Sequence, residues 1–289
     1  MDVRFVGSSD SCGGLGSNKA MRAWNGHSFT LVFPLAVAVI ALVALPPQAV
    51  AQDQIGTPDM RAAEQQILAL ANQARARAGA GPVHWDQGLA AAAMAHCQLM
   101  AQEGSISHRY QGEPDLSQRT AQAGAHFSLI EENVAIGPSG PAIHEEWMNS
   151  PGHRTNLLNP DIDSIGVAVM ASRGTLYAVA DYSRSVQSLT GPQVEGRVAS
   201  LIRPTGVTIL RDASLARAAC AMDDGMPRSA NGQQPLFVMR WTDSDISRLP
   251  QALVDHLRTG KYSMAAVGSC APQDLGGAFT AYRLAVLLF

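Results

Sequence analysis

The chain has 289 residues, of which 46% are hydrophobic and 16% are charged, and its formal net charge at pH 7 is −3. This composition is typical of a globular protein with a buried core and excludes a largely disordered chain. It contains no Lys/Arg-rich run, which argues against nucleic acid or an anionic membrane surface as the main partner. We therefore expect a neutral or small-molecule partner.

The first 51 residues have the layout of a secretory signal. Lys19 and Arg22 precede an apolar run over residues 29–45, and Ala-Val-Ala follows at residues 49–51, where cleavage is expected after the last alanine. The run is shorter than the roughly 20 residues of a spanning helix, so release is favoured over an uncleaved anchor. Met21 is an alternative start. We expect a secreted, extracellular or periplasmic protein with no stable membrane span after cleavage.

The cysteines predict one disulfide. Cys12 lies in the signal segment, and Cys97 lies in an Ala-rich helical stretch, where it is interpreted as a small buried hydrophobe. Cys220 and Cys270 lie in the C-terminal part of the chain. In an oxidising compartment they are the expected pair.

An amphipathic helix opens the predicted mature chain. Thr57-Pro58-Asp59 has the residues of a helix start, and the 3.6-residue periodicity extends to about Ala78 before Gly79. On spacing alone, Asn72 and Arg75 are predicted to be solvated.

A second helix starts after Asp86, which can cap it, and it buries His96. We interpret His96 as a packed or hydrogen-bonded histidine and not as a ligand. The following loop carries His108, and a short helix is predicted around residues 116–123.

Residues 129–137 form an apolar, strand-like run that contains Glu131 and Glu132. Two adjacent carboxylates cannot both point into a core without strong pKa shifts, so at least one should face a polar site or water.

A helix with Ile143, Trp147 and Met148 at helical spacing follows, and Pro151-Gly152 is predicted to stop it. His153 would then lie just past a helix end. His126 and His144 are interpreted as surface residues.

Alternating apolar residues over 165–169 and 176–180, with a turn at 171–174, predict a β-hairpin. Helices followed by this hairpin indicate an α/β domain over residues 58–183.

Five segments occur in the order found in a known family. They are 72–75 (Asn-Gln-Ala-Arg), 82–86, 107–109 (Ser-His-Arg), 131–135 and 147–160. In these residues the chain resembles the bacterial branch of the CAP superfamily, which comprises cysteine-rich secretory proteins, antigen 5 and pathogenesis-related proteins. The resemblance implies an α-β-α sandwich with a cleft in which two histidines and two acids converge and, in some members, bind a divalent metal.

The resemblance also implies which residues line the cleft. The two histidines correspond to His108 and His153, and the first acid corresponds to Glu132. The family's second acid corresponds to Ser150 here, and Glu146 lies one helical turn earlier, where it could replace that acid. Asn149 lies beside them and could contact a ligand, although a helix-end hydrogen bond is its favoured use.

Two chemical interpretations of the cleft remain open at this point. His108, His153 and Glu132 could hold Zn²⁺ or another divalent cation with one position open for water. They could equally form a hydrogen-bonded structural network without a metal. No His-Glu-x-x-His or Gly-x-Ser-x-Gly pattern is present, so nothing specific supports catalysis, and no catalytic residue is assigned.

Residues 184–193 are predicted to be a linker to a smaller α+β domain over residues 194–289. Strands are expected at 206–210, 236–241, 262–268 and 279–288, with a helix at 249–258. This block carries no motif, and we expect it to bind or anchor cell-envelope material or to cover the first domain.

The leading hypothesis is a secreted or periplasmic CAP-type protein whose cleft binds a small or lipid-like ligand, with a divalent ion as an option. The alternatives are a metal-dependent hydrolase or peptidase and a structural cell-envelope protein without catalysis.

Overall fold

The computed structural model describes residues 3–4, 59–228, 234–271 and 278–289. The signal prediction over residues 1–51 therefore lies outside the described residues, apart from the two-residue strand β1 (Val3–Arg4). Across the described segments, no helix is long and apolar enough to cross a membrane.

The first part of the chain forms a five-stranded sheet with helices on both faces. Its elements are α1 (Met60–Arg77), β2 (His84–Trp85), α2 (Gln87–Glu103), α3 (Leu116–Gln122), β3 (Phe127–Gly137), α4 (Gly140–Asn149), α5 (Pro151–Leu158), β4 (Ser164–Ser172) and β5 (Thr175–Ser185). The strand order is β1-β3-β5-β4-β2, with β3, β5 and β4 antiparallel and β1 and β2 added in parallel.

Both faces of this sheet are buried. Ile67 of α1, Trp147 of α4 and Leu157 of α5 pack on one face, while Ala93 and Met100 of α2 pack on the other. Because successive strand residues point to opposite faces, the three central strands read as nearly continuous apolar runs. The predicted α-β-α sandwich is confirmed.

The helix and turn signals act locally as expected. The Asp59 side chain caps α1 by accepting from Ala62 N, and Asp86 caps α2 by accepting from Leu89 N. Arg173 and Gly174, at φ 53° and 77°, form the predicted β4–β5 turn, because a two-residue hairpin turn of this hand needs positive φ at both positions. The predicted start at Thr57 lies outside the described residues.

The prediction that Asn72 and Arg75 are solvated is wrong. Arg75 is fully buried, and its guanidinium donates hydrogen bonds to backbone carbonyl oxygens at the C-terminal end of α5 and in the adjoining loops. The Asn72 side chain exchanges two hydrogen bonds with the backbone of Val83. Helical spacing cannot reveal these partners, because they belong to other parts of the chain.

The prediction that His153 follows a helix end also needs correction. α4 ends at Asn149, and Pro151 then begins α5, so His153 lies in the first turn of a new helix. Proline has no N–H to lose at the first helical position and therefore starts a helix as readily as it stops one.

The C-terminal part forms a second sheet with the order β6-β8-β9-β7. Its elements are α6 (Gly191–Ile202), a 3₁₀ turn (Arg203–Thr205), β6 (Thr208–Ile209), α7 (Ser214–Ala221), β7 (Phe237–Asp243), α8 (Gln251–Arg258), β8 (Met264–Cys270) and β9 (Tyr282–Leu288). Residues of α6 and α8 pack on one face and those of α7 on the other.

The predicted Cys220–Cys270 disulfide is present and joins α7 to the end of β8. Cys97 is a free, buried thiol, and burial raises its pKa to about 12. The predicted linker is shorter than expected, because α6 already begins at Gly191 behind a capping box formed by Thr190 and Gln193. Both sheets belong to one compact unit.

Candidate functional site

Glu132 on β3 is the centre of the candidate site. Its carboxylate is buried, and Oε1 accepts a hydrogen bond from Nδ1 of His108 at 2.7 Å. Oε2 accepts a hydrogen bond from Nη2 of Arg119. Burial opposes ionisation of Glu132, but the hydrogen bond from His108 and the charge of Arg119 lower its pKa below the usual value.

Arg119 is a site residue that the sequence analysis missed. It lies on α3, where Leu116 and Thr120 are also buried, and its Nη1 contacts the carbonyl oxygen of His108 at 3.3 Å. The signal was available, because Arg119 lies three residues after Leu116 on the apolar stripe of a short helix. A buried arginine on such a stripe needs acceptors inside the fold, either a carboxylate or, as at Arg75, backbone carbonyl oxygens.

His96 supports the loop that carries His108. Its ring is fully buried, with Nδ1 2.6 Å from Oε1 of Glu113 and Nε2 2.7 Å from the carbonyl oxygen of Ser107. A carbonyl oxygen can only accept, so Nε2 carries a proton. The interpretation of His96 as a hydrogen-bonded structural histidine agrees with these contacts.

Asp181 is the second residue that the sequence analysis missed. It lies opposite Glu132 in the β3–β5 register and is fully buried. Neither of its carboxyl oxygens meets hydrogen-bond geometry with another described residue, although the Glu132 carboxyl is close enough to affect its titration. Burial, followed by the negative charge of Glu132, raises the pKa of Asp181 well above its usual value.

Glu131 and Glu132 are both buried and contact different layers. Glu131 accepts a hydrogen bond from the side chain of Asn159, beyond α5, while Glu132 contacts Arg119 of α3. The alternation of a β-strand thus directs each carboxylate to its own polar partner.

His153 approaches the same site from α5. Its backbone oxygen accepts a hydrogen bond from Asn133 at 2.9 Å, and Asn156 Nδ2 donates to the Glu132 carbonyl oxygen at 3.1 Å. Burial and the neighbouring His108 lower the pKa of His153. Its Nδ1 is buried without a hydrogen-bond partner among the described residues. The loop that carries His108 and the helix that carries His153 therefore both approach the part of β3 that holds Glu132.

Three other residues expected in the cleft, Glu146, Asn149 and Ser150, do not contact Glu132 through a hydrogen bond in the structure. Glu146 is exposed on α4, and its side chain makes no hydrogen bond or ion pair with a described residue; partial burial raises its pKa. Asn149 is exposed at the end of α4, and Ser150 is the junction between α4 and α5. Glu146 is therefore bonded to neither histidine.

The residues do not fit a divalent metal in this arrangement. Both oxygens of Glu132 are engaged, one by His108 and the other by the cationic Arg119. In the described part of the chain, no group of three or more His, Cys, Asp or Glu side chains is placed to hold a metal ion. The option of a metal site formed by His108, His153 and Glu132 does not agree with this geometry.

A separate cavity of about 420 Å³ lies between α1, α4 and α5. It is lined by Ala74, Arg77, Ala78, His144, Glu145, Met148, Arg154 and Leu158. His144 was predicted to lie on the surface but is half-buried, and burial followed by the charge of Arg77 lowers its pKa. His126 is exposed, as predicted.

A three-layer sandwich in which His108 and His153 approach Glu132 of β3 agrees with the CAP-type, or SCP-like, domain expected from the sequence. Residues 68–182, which include all three of these site residues, match the model of the "CAP: Cysteine-rich secretory protein family". This region of the chain is similar to the CAP family, and the matched range stops before the second sheet.

Curated relatives resemble the chain over a comparable region. The "Uncharacterized membrane protein YlbC" of Bacillus subtilis (strain 168) is 33% identical over 155 residues, which are 53% of this chain and 44% of that protein. The "Uncharacterized protein YkwD" of the same organism is 31% identical over 110 residues, or 38% of this chain and 43% of that protein. The chain thus spans less than half the length of either relative.

Among solved structures, an extracellular protein containing a SCP domain from Bacillus anthracis str. Ames is 31% identical. The match covers 45% of this chain and 44% of that chain, with a TM-score of 0.42.

Proposed function

We propose that this CAP-domain protein acts outside the cytoplasm, secreted or in a periplasm, as a non-catalytic binding protein for a small or lipid-like ligand. The predicted signal segment and the disulfide support this location, because disulfides persist in oxidising compartments. In this proposal the chain consists of a CAP domain at 58–183 and a C-terminal domain at 194–289. Cell-envelope material is the proposed source of the ligand.

The cavity between α1, α4 and α5 is the observation that carries the proposal. Its volume of about 420 Å³ falls within the usual range for ligand pockets. Met148 and Leu158 supply apolar lining, and the two arginines, Arg77 and Arg154, outnumber the one carboxylate, Glu145. This combination suits an amphiphile with an apolar chain and an acidic head group.

The cleft at His108, Glu132 and His153 is the proposed second, polar contact region. Helix α5 is common to both, because it carries His153 toward the cleft and contributes Arg154 to the cavity. In this proposal, Ser150 and Asn149 form the rim of the cleft. Glu146 remains a solvent-facing residue beside them.

A metal-dependent hydrolase or peptidase is the less favoured alternative. Such an enzyme needs a carboxylate that can bind the metal or act as a base, and Glu132 already bonds Arg119 and His108. A purely structural envelope protein is the remaining alternative, and the binding experiment separates it from a carrier.

The test is ligand recovery followed by competition. Purified protein is extracted with organic solvent, and the extract is analysed by mass spectrometry; binding is then measured by displacement of a fluorescent fatty acid. Leu158→Trp, which fills the cavity, is expected to weaken binding at least tenfold. Leu236→Trp is the matched control, since Leu236 is 68% exposed.

Two results would argue against the proposal. Absence of both a co-purified ligand and saturable fatty-acid binding would favour a structural role. Equal binding by the Leu158 variant and the wild type would show that the ligand lies elsewhere. His108→Ala and His153→Ala variants then report whether the polar cleft contributes to binding.

A further inference from the structure

The guanidinium of Arg119 places a positive charge inside the cleft, next to two buried carboxyl groups. Two carboxyl groups, Glu132 and Asp181, lie opposite each other on β3 and β5 and are both buried. Buried carboxylates need a positive partner or must become neutral. Arg119 supplies that charge, because its guanidinium contacts Glu132 directly.

Arg119 comes from a well-supported helix and not from a flexible surface segment. Asp115 and Gln118 form a capping box at the start of α3, and Thr120 bonds back to the carbonyl oxygen of Leu116. Only 6% of the Arg119 side chain is exposed. The position of its guanidinium is therefore set by the packing of α3 against β3.

The guanidinium and a divalent ion would compete for the same carboxylate. Zinc in proteins is held by ligands such as His nitrogen and Glu oxygen, and each ligand must direct an electron pair at the metal. Here Oε1 of Glu132 accepts from Nδ1 of His108 and Oε2 accepts from Arg119, so this carboxylate is withheld from a metal. A site without it would keep only the two histidines, fewer than the three protein ligands of an open zinc site. Removal of Arg119 would free Oε2 of the buried Glu132, beside the half-buried His108 and opposite the buried Asp181.

We propose that Arg119 is the built-in counter-cation of the cleft, which orients Glu132 toward His108 and withholds the Glu132 carboxylate from a divalent metal in this CAP-type domain. Arg119 is thus a positioning residue that acts through Glu132. The cleft is also the polar contact region of the proposed function, but this inference does not depend on the ligand proposed for the cavity between α1, α4 and α5, which has a different lining.

The experiment is a metal titration of wild-type protein and an Arg119→Met variant, which keeps most of the side-chain volume without the charge. Zn²⁺ binding is measured by calorimetry, and Co²⁺ supplies the visible absorption spectrum of a nitrogen- and oxygen-ligated site. The wild type is expected to take up no stoichiometric metal. The variant is expected to bind one equivalent at least tenfold more tightly, and Arg119→Met combined with His108→Ala is expected to lose this gain.

The matched control is Arg217→Met, because Arg217 also pairs with a glutamate, Glu195, through two hydrogen bonds of 2.7 Å but without a histidine in the pair. It should gain no zinc site. Stoichiometric zinc uptake by the wild type that disappears in His108→Ala would overturn the inference.

A folded Arg119→Met variant that binds no more zinc than the wild type would also overturn it. If the methionine variant does not fold, Arg119→Lys takes its place under the same criteria. Its single ammonium group keeps the charge but cannot reproduce the guanidinium geometry, so a smaller gain in zinc affinity is expected.

Discussion

Replacement of Arg75 by methionine should strongly destabilise the CAP domain. The Arg75 guanidinium donates to the carbonyl oxygens of Gly81, Leu157, Asn159 and Ile162 at 2.7–3.0 Å. Each hydrogen bond from a charged donor contributes about 1 kcal/mol or more, and unpaired buried carbonyl groups add a penalty. Methionine retains most of the packing, so a loss of about 4 kcal/mol in the free energy of unfolding is expected.

This magnitude is large against the total stability of a typical domain, which is about 5–15 kcal/mol. Arg75→Lys should recover only part of it, because one ammonium group cannot reach four separate carbonyl groups. Urea unfolding followed by tryptophan fluorescence measures the effect, since Trp147 is fully buried in this domain.

Arg77→Met is the control for this measurement. Arg77 lies on the same helix but is exposed, so its replacement should change stability by about 0.5 kcal/mol or less. If Arg75→Met lost less than about 1 kcal/mol with an unchanged urea dependence, the reasoning from buried hydrogen bonds would be refuted.

Three further predictions concern buried positions elsewhere. Because folding raises the pKa of Asp181, the stability that this group contributes is present below the unfolded pKa of 3.8 and is lost as pH rises. The free energy of unfolding of Asp181→Asn should therefore exceed that of the wild type by a margin that grows from pH 4 to pH 7. A margin that stays constant over this range would contradict the prediction. Gly166→Ala should destabilise by about 2 kcal/mol or more, because its new methyl group would lie 2.1 Å from Ala90 N; an unchanged melting temperature would show that α2 moves freely. Replacing both Cys220 and Cys270 by serine should cost about 2–4 kcal/mol in the C-terminal domain, as judged by denaturant unfolding, since the cross-link spans 50 residues.

The helices and the hairpin of the CAP domain could be predicted because their signals are local. Asp86 caps α2 from an adjacent residue, and Arg173-Gly174 forms the turn with its own backbone conformation. Local information was insufficient at Pro151, since proline can both stop α4 and start α5. In the C-terminal domain the start of α6 was assigned to the linker, because residues such as Gly and Pro are common both in linkers and at the first turn of a helix.

The candidate site was predictable only in part. His108, Glu132 and His153 were found through the resemblance to the family, and the structure places His108 in a hydrogen bond with Glu132. Arg119 and Asp181 were missed, because a charged residue on a helix or strand is usually solvated. Nothing in sequence spacing shows that these two residues meet at Glu132.

The sequence by itself determined which faces of the helices and strands are apolar, which cysteines pair and which family the first domain resembles. These properties depend on periodicity and on short motifs. The tertiary structure alone decided that Arg75 is buried and that Arg119 neutralises Glu132. Both outcomes depend on which carbonyl or carboxyl groups from distant parts of the chain come within hydrogen-bond distance, and a buried charge is stable only where such partners meet it.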